Sequence, residues 1–296
     1  MPRYLKLSIS AVLCVFTLGL MGCNDYTPNP EDDIALFQPF IDANINKKSD
    51  DPYISSTVKP GDKLYDILVN IQHGNNKEAY KYLEPLLDNK DPEAQFWYSK
   101  MIYMASVKSI PKSIRLYQEA AKAGNAYAQF ELSPDSEGCL LYFGEKVCTQ
   151  ENLIKAIDMF KQQAKQGDLR AQYFLLKKLT QDGKLVPVIT ENQLANGNYY
   201  QLNFSKETRQ HYIKEVIRFA ENYYYQPLMD YVDAILIWDL NAGDYKNKAL
   251  TSKEQKMITG LFEIMVNNNY IPAFKKYAKF NPSVKDEVSK NAILLG

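Results

Sequence analysis

Four stretches of this chain can be laid over one another, and internal repetition on this scale dictates a stack of like units rather than a single layered core. They are "YLEPLLDNKDPEAQF" from Tyr82, "LYQEAAKAGNAYAQF" from Leu116, "MFKQQAKQGDLRAQY" from Met159 and, with less identity, "LFEIMVNNNYIPAFK" from Leu261. An apolar pair opens each block: Tyr82 and Leu83, Leu116 and Tyr117, Met159 and Phe160, Leu261 and Phe262. Five places on, Leu87, Ala121, Ala164 and Val266 continue one apolar helix face. The next shared position holds Lys90, Gly124, Gly167 or Asn269, and glycine or asparagine there suits a left-handed C-terminal cap. Ala94, Ala128, Ala171 and Ala273 then open a new helix, so the repeated unit is helix, tight turn, helix.

The motif "YQEAAKAGNAYAQF" looks like the Sel-one-like repeat, a relative of the tetratricopeptide repeat. "KSIRLYQEAAKAG" and "KAIDMFKQQAKQG" match the second helix of that family's unit, whereas Ser99, Ser133 and Leu176 stand where its first helix usually has glycine. The resemblance covers about residues 76–182. It implies an all-α fold, a right-handed α-solenoid of stacked helix-turn-helix repeats with a concave protein-binding surface.

From Ala94 to Ala128 is 34 residues, but from Ala128 to Ala171 is 43, so the second step carries an insertion. Its text is "SPDSEGCLLYFGEKVCTQEN", in which Ser133 and Pro134 stop one helix and Thr149 caps the next. Val186 to Ser205 reads as a second irregular connection, with Ser205 capping "KETRQHYIKEVIRFAEN". Divergent helical pairs are expected over 205–296: around Pro227–Leu240, Ser252–Asn267, Ile271–Phe280 and Val284–Leu294. The repeat domain as a whole spans 61–296. Residues 23–60, with five prolines and scattered acids, read as a tether in which "IALFQPFI" forms a short element docking onto the array.

The chain starts with Arg3 and Lys6, then runs from Leu7 to Leu20 without a charge, too short for the roughly 20 residues of a spanning helix. A basic start and a short apolar middle describe an export signal over residues 1–22. The tetrad Leu20-Met21-Gly22-Cys23 resembles the bacterial lipobox, which implies cleavage before Cys23 and acylation of that residue. Asn24, where inner-membrane retention typically places aspartate, implies the outer membrane, facing the periplasm.

Charge adds an exclusion. The chain has 35 basic and 35 acidic residues, and processing would remove two bases and no acid. A near-neutral protein lacks the concentrated basic face that nucleic acid demands. Among the cysteines, Cys14 would be lost with the signal and Cys23 acylated, leaving Cys139 and Cys148. An isolated pair in an exported chain is read first as a disulfide. Two thiols without nearby histidines are a poor tetrahedral metal set, and the spacing is not Cys-x-x-Cys.

No catalytic constellation is legible. His73 and His211 are the two histidines, and no nucleophile or carboxylate is spaced to pair with either. The acid pairs Asp32/Asp33 and Asp50/Asp51 fall in the tether, where solvated charge is the default. There is no phosphate loop and no His-Glu-x-x-His, so no enzyme activity, metal or cofactor is expected. The aromatic clusters have two readings each, repeat core or exposed binding surface. They comprise Trp97 and Tyr98, the run Tyr223, Tyr224 and Tyr225, and Tyr199 and Tyr200 in the irregular connection.

The expected function is therefore non-catalytic: a membrane-anchored periplasmic lipoprotein that grips another protein. Lipoproteins with such repeats occur, by family resemblance, beside lipase toxins of type VI secretion. That implies an immunity protein neutralising a phospholipase toxin; an envelope scaffold for cell-wall or secretion machinery is the alternative. A hydrolase whose site is assembled from distant residues is the rival from another class.

Overall fold

The computed structural model describes residues 30–49, 57–178, 206–236, 238–239, 244–245 and 250–284. The export signal, Cys23, the connection at 186–205 with Tyr199 and Tyr200, and the last expected helix lie outside the described residues. Within them the fold is all-α, apart from one two-residue antiparallel pair, Trp238–Asp239 (β1) with Asp244–Tyr245 (β2). In chain order the helices are α1 (Pro30–Asn44), α2 (Tyr65–Gln72), α3 (Asn76–Asp88), α4 (Pro92–Ala105), α5 (Ile110–Lys122) and α6 (Ala126–Glu131). They continue with α7 (Gln150–Lys165), α8 (Leu169–Lys177), α9 (Lys206–Glu221), α10 (Gln226–Leu236), α11 (Ser252–Asn267) and α12 (Ile271–Phe280). From α2 to α8, and again from α9 to α12, each helix packs on the next in sequence.

One turn recurs at six of the helix connections among the described residues. Lys90, Gly124, Gly167 and Asn269 all have positive φ, as the aligned blocks predict for a left-handed cap. Gly74 and Tyr223 adopt the same conformation, at hairpins the alignment does not reach. At each, the left-handed residue and the one after it donate backbone hydrogen bonds back into the last turn; Gly124 reaches the Ala121 carbonyl and Asn125 the Ala120 carbonyl. This is the Schellman geometry, which satisfies carbonyls the helix end would leave unpaired. The following residue then starts the next helix. The Asp91 carboxylate accepts from the amides of Glu93 and Ala94, Asn125 from Ala128, and Asp168 from Arg170 and Ala171. Ala94, Ala128, Ala171 and Ala273, which open the second helix of each aligned block, are fully buried. At the Ser99 position the Ser113 hydroxyl donates to the Ser99 carbonyl, 3.2 Å away, and both residues are buried.

Aromatic side chains join the hairpins. Phe96 contacts Tyr117 and Tyr127, Tyr127 meets Phe160 edge-on at 4.8 Å, and Phe160 stacks on Phe174 at 3.7 Å. Tyr173 carries the chain of contacts into α9 through Phe219 and on to Tyr224. Such pairs add about 0.5–1.5 kcal/mol each beyond their area burial.

The tether expectation is corrected over its middle third: residues 30–44 form α1, which docks on α9 and α11. Pro30 stands first, Glu31, Asp32 and Asp33 occupy the first turn, and Asp33, Phe37, Phe40 and Ile41 share one buried face. Burying three large apolar side chains contributes about 1.5–3 kcal/mol each, which outweighs the roughly 3 kcal/mol that Pro39 costs a helix interior. "IALFQPFI" thus does dock, as the core of a longer helix. Asp33 enters the interior as half of an ion pair with Arg209 and also accepts from the Tyr231 hydroxyl at 2.8 Å. The helix expected to run to Leu240 stops at Leu236, before β1.

The insertion is closed by a disulfide between Cys139 and Cys148, with the Cα atoms 5.9 Å apart. Phe143 packs against Tyr103 and Tyr117, whereas Leu140, Leu141 and Tyr142 face outward, Leu141 at 78% exposure. Lys178, itself buried, holds the insertion through Asp135 at 2.8 Å, and Phe130 and Phe174 flank its ammonium.

Candidate functional site

Two concavities on the described surface each carry an aromatic residue expected to bind. The first lies where α3, α4 and the start of α5 meet, with a volume of about 450 Å³. Tyr80, Glu84 and Leu87 line it from α3; Tyr98, Ile102 and Ala105 line it from α4, and Ser109 closes one end. The core face of α3 is set by Ala79 and Leu83, so Tyr80, one step out of phase, projects into the groove. Tyr80 and Tyr98 meet edge to face at 5.6 Å. Lys112 donates to the Tyr98 hydroxyl at 2.9 Å and lies 4.7 Å from its ring centroid. Burial, and then the neighbouring Tyr98, push the Tyr80 hydroxyl above its ordinary pKa, so it remains a neutral donor. Two phenols, one carboxylate and one ammonium around an apolar floor can hold a side chain of a partner. No nucleophile is paired with a base there.

The second concavity, about 690 Å³, lies between the end of α1, the α9–α10 turn and α11. Lys47, Lys48, Lys59, Glu221 and Tyr223 line its polar side; Phe40, Tyr225 and Ile264 line its apolar side.

The structure separates the aromatic candidates. Tyr98 and Tyr223 reach concave surface. Trp97 does not: its ring is wedged between two core clusters, edge-on to Phe96, and its indole N–H is buried without an acceptor among the described residues. Tyr224 and Tyr225 are buried as well, Tyr224 in the aromatic contacts with Tyr173 and Phe219, Tyr225 against Tyr270. For these three the core reading wins: Trp97 packs between the clusters of neighbouring hairpins, Tyr224 against α8 and α9, and Tyr225 against the α11–α12 turn. Of the histidines, His73 ends α2 and His211 is exposed on α9. Among the described residues no group of three or more His, Cys, Asp or Glu could hold a metal ion, and no helix is long and apolar enough to cross a membrane.

Sequence reasoning misses Tyr80, Lys112 and the three lysines. Tyr80 is one position off the alanine-leucine face, a signal available once the phase of α3 is fixed. Lys47, Lys48 and Lys59 fall in the segment whose proline and acid content reads as a tether.

Comparison with protein-family models, curated proteins and solved structures finds no match to this chain.

Proposed function

We propose that the chain is a non-enzymatic, protein-binding repeat lipoprotein. Its hairpins form a right-handed α-solenoid of Sel-like units, anchored through an acylated Cys23 and facing the periplasm. The observation that carries this reading is the Tyr80–Tyr98 groove. It runs from α3 across α4 to the start of α5 and offers half-buried tyrosines with an exposed lysine and carboxylate around an apolar floor, the composition of a protein contact. The covalently closed Cys139–Cys148 loop, with its outward Leu140, Leu141 and Tyr142, supports the same reading.

In this proposal the lipid sets where the grip occurs. With α1 beginning at Pro30, residues 24–29 at about 3.3 Å each would hold the fold within about 20 Å of the bilayer. The specific version is immunity: the protein occludes a secreted phospholipase toxin at the membrane that the toxin attacks. Expression in trans should then protect a sensitive strain, and protection should fall when Tyr98→Ala and Tyr80→Ala are combined. Undiminished killing despite abundant periplasmic protein sinks the immunity version. Capture of cell-wall or secretion proteins from solubilised membranes would favour the scaffold version instead. Hydrolysis of a lipid or glycan by the purified protein would overturn the binding reading itself.

A further inference from the structure

We propose that the concavity between α1, the α9–α10 turn and α11 receives carboxylate side chains on an acidic polypeptide segment; this rests on the protein-binding reading and gives it a second site. Among the described residues three lysines line the cavity against one carboxylate, Glu221. Among the described residues none of the three is in an ion pair. Lys47 donates to the Asn44 side-chain oxygen at 3.0 Å, at the C-terminal end of α1, where a cation offsets the helix dipole. Lys48 and Lys59 are left to act on whatever enters.

The lysines stand on a fixed frame. Three consecutive asparagines at the α11–α12 turn donate their side-chain amides to the irregular segment after α1: Asn267 to the Ile45 carbonyl at 2.9 Å, Asn268 to Lys47 and Asn269 to Ser49, both at 3.4 Å. The Ser49 amide returns a bond to the Asn267 carbonyl at 3.3 Å. The backbone beneath Lys47 and Lys48 is thereby held before any ligand arrives, which lowers the ordering cost of binding.

Tyr223 is the independent observation. It occupies the left-handed turn position with φ 61°, where the equivalent residues include Gly74, Gly124 and Gly167. A bulky residue in that region is strained, and strain of this kind collects at functional sites. Core burial does not offset it, since Tyr223 is 47% exposed. Its ring instead forms the cavity wall, with the Lys59 ammonium 5.2 Å from the centroid. The opposite, apolar wall suits aliphatic side chains between the acids. A cavity of this size takes several side chains, and its volume and apolar wall favour a polypeptide over a bare anion.

The test uses the mature full-length protein and fluorescein-labelled octaglutamate, read by fluorescence polarisation, with octalysine as control. Saturable octaglutamate binding is expected, weakened about tenfold or more in Lys48→Glu/Lys59→Glu, retained in Lys59→Arg, and weakened by added salt. Tyr223→Gly should weaken binding without lowering the thermal midpoint, a pairing that a purely structural tyrosine would not give. Equal binding by the double lysine variant, equal binding of octalysine, or displacement by equimolar inorganic phosphate overturns the proposal. Asp50 and Asp51 could supply the same chemistry from within the chain. If octaglutamate binds only to Asp50→Asn/Asp51→Asn, the chain's own acids are the occupant and the proposal falls. A partner captured equally by parent and double lysine variant removes this site but keeps the binding reading. Octaglutamate binding here, with no protein captured from membranes, does the reverse.

Discussion

Asp91 does three jobs at one position, and each has a separate signature. It follows the left-handed Lys90, caps α4 through two backbone amides, and pairs with Lys63 in front of α2. Burial alone would raise its carboxyl, but hydrogen bonds from Lys63, Ala94 and Glu93 outweigh it and hold the pKa below its ordinary value. A depressed carboxylate contributes stability that is present above the unfolded value, about 3.9, and is lost as pH falls through the lower folded value. Asp91→Ala should therefore cost about 1 kcal/mol at pH 7. The gap between parent and variant should narrow in acid below about pH 4, measured as urea midpoints at the two ends of that range. An unchanged gap would mean that packing, not the charge, carries the position. Lys90 supplies the complementary test. Lys90→Gly removes left-handed strain and should raise stability by about 0.5–1 kcal/mol, whereas Gly167→Ala introduces it and should cost about 1 kcal/mol. The space beside Gly167 is open, so that cost is backbone strain alone.

At the scale of the element, the hairpins are legible in the sequence because their turn chemistry is local. Gly124-Asn125 and Gly167-Asp168 announce a left-handed cap followed by an N-cap, and the structure places both as the pattern requires. The turn at Tyr223-Tyr224 carries no such signal, since tyrosine is not a residue that favours the left-handed region. α1 fails to stand out for a different reason. Its proline and acids are those of a helix start, but the same composition describes a solvated linker, and the choice depends on contacts nearly two hundred residues away. The Tyr98 half of the groove is visible as an aromatic cluster; Tyr80 and Lys112 join it only through the α3–α4–α5 packing. The disulfide is legible by arithmetic, while its outward Leu140 and Leu141 are not. Cys139→Ser/Cys148→Ser should lower stability by roughly 2.5 kcal/mol in the chain-entropy account. Phe143, lodged beside Tyr103 and Tyr117, should keep the loop attached in that variant. Near-ultraviolet circular dichroism that loses its aromatic signal at unchanged helicity would show instead that the staple, not Phe143, seats the loop.

For the whole molecule, the decisive contact is α1 on the far end of the chain. Phe37, Phe40 and Ile41 belong to the same core cluster as Leu228, Met257, Leu261 and Phe274, so the N-terminal helix completes the C-terminal hairpins. Arg209 on α9 pairs with Asp33 of α1 in the interior, so the N-terminal helix is tied to α9 by charge as well as by apolar packing. α1 is thus an integral part of this core, and any force transmitted from the chain before Pro30 would reach α9 and α11 directly. The closeness of the fit can be measured at one glycine. Gly260 on α11 lies so near α1 that an added Cβ would stand 2.9 Å from Ile41 Cγ2. Gly260→Ala should therefore destabilise by about 1–3 kcal/mol through overpacking. Ile41→Ala alone should cost about 2–5 kcal/mol by leaving a cavity. Because the new methyl occupies space the isoleucine vacates, the double variant should be more stable than the sum of the two losses, with a coupling of about 0.5–3 kcal/mol. Strict additivity in denaturant unfolding would mean that α1 does not sit on Gly260 in solution. The same result would return residues 30–44 to the role of a tether.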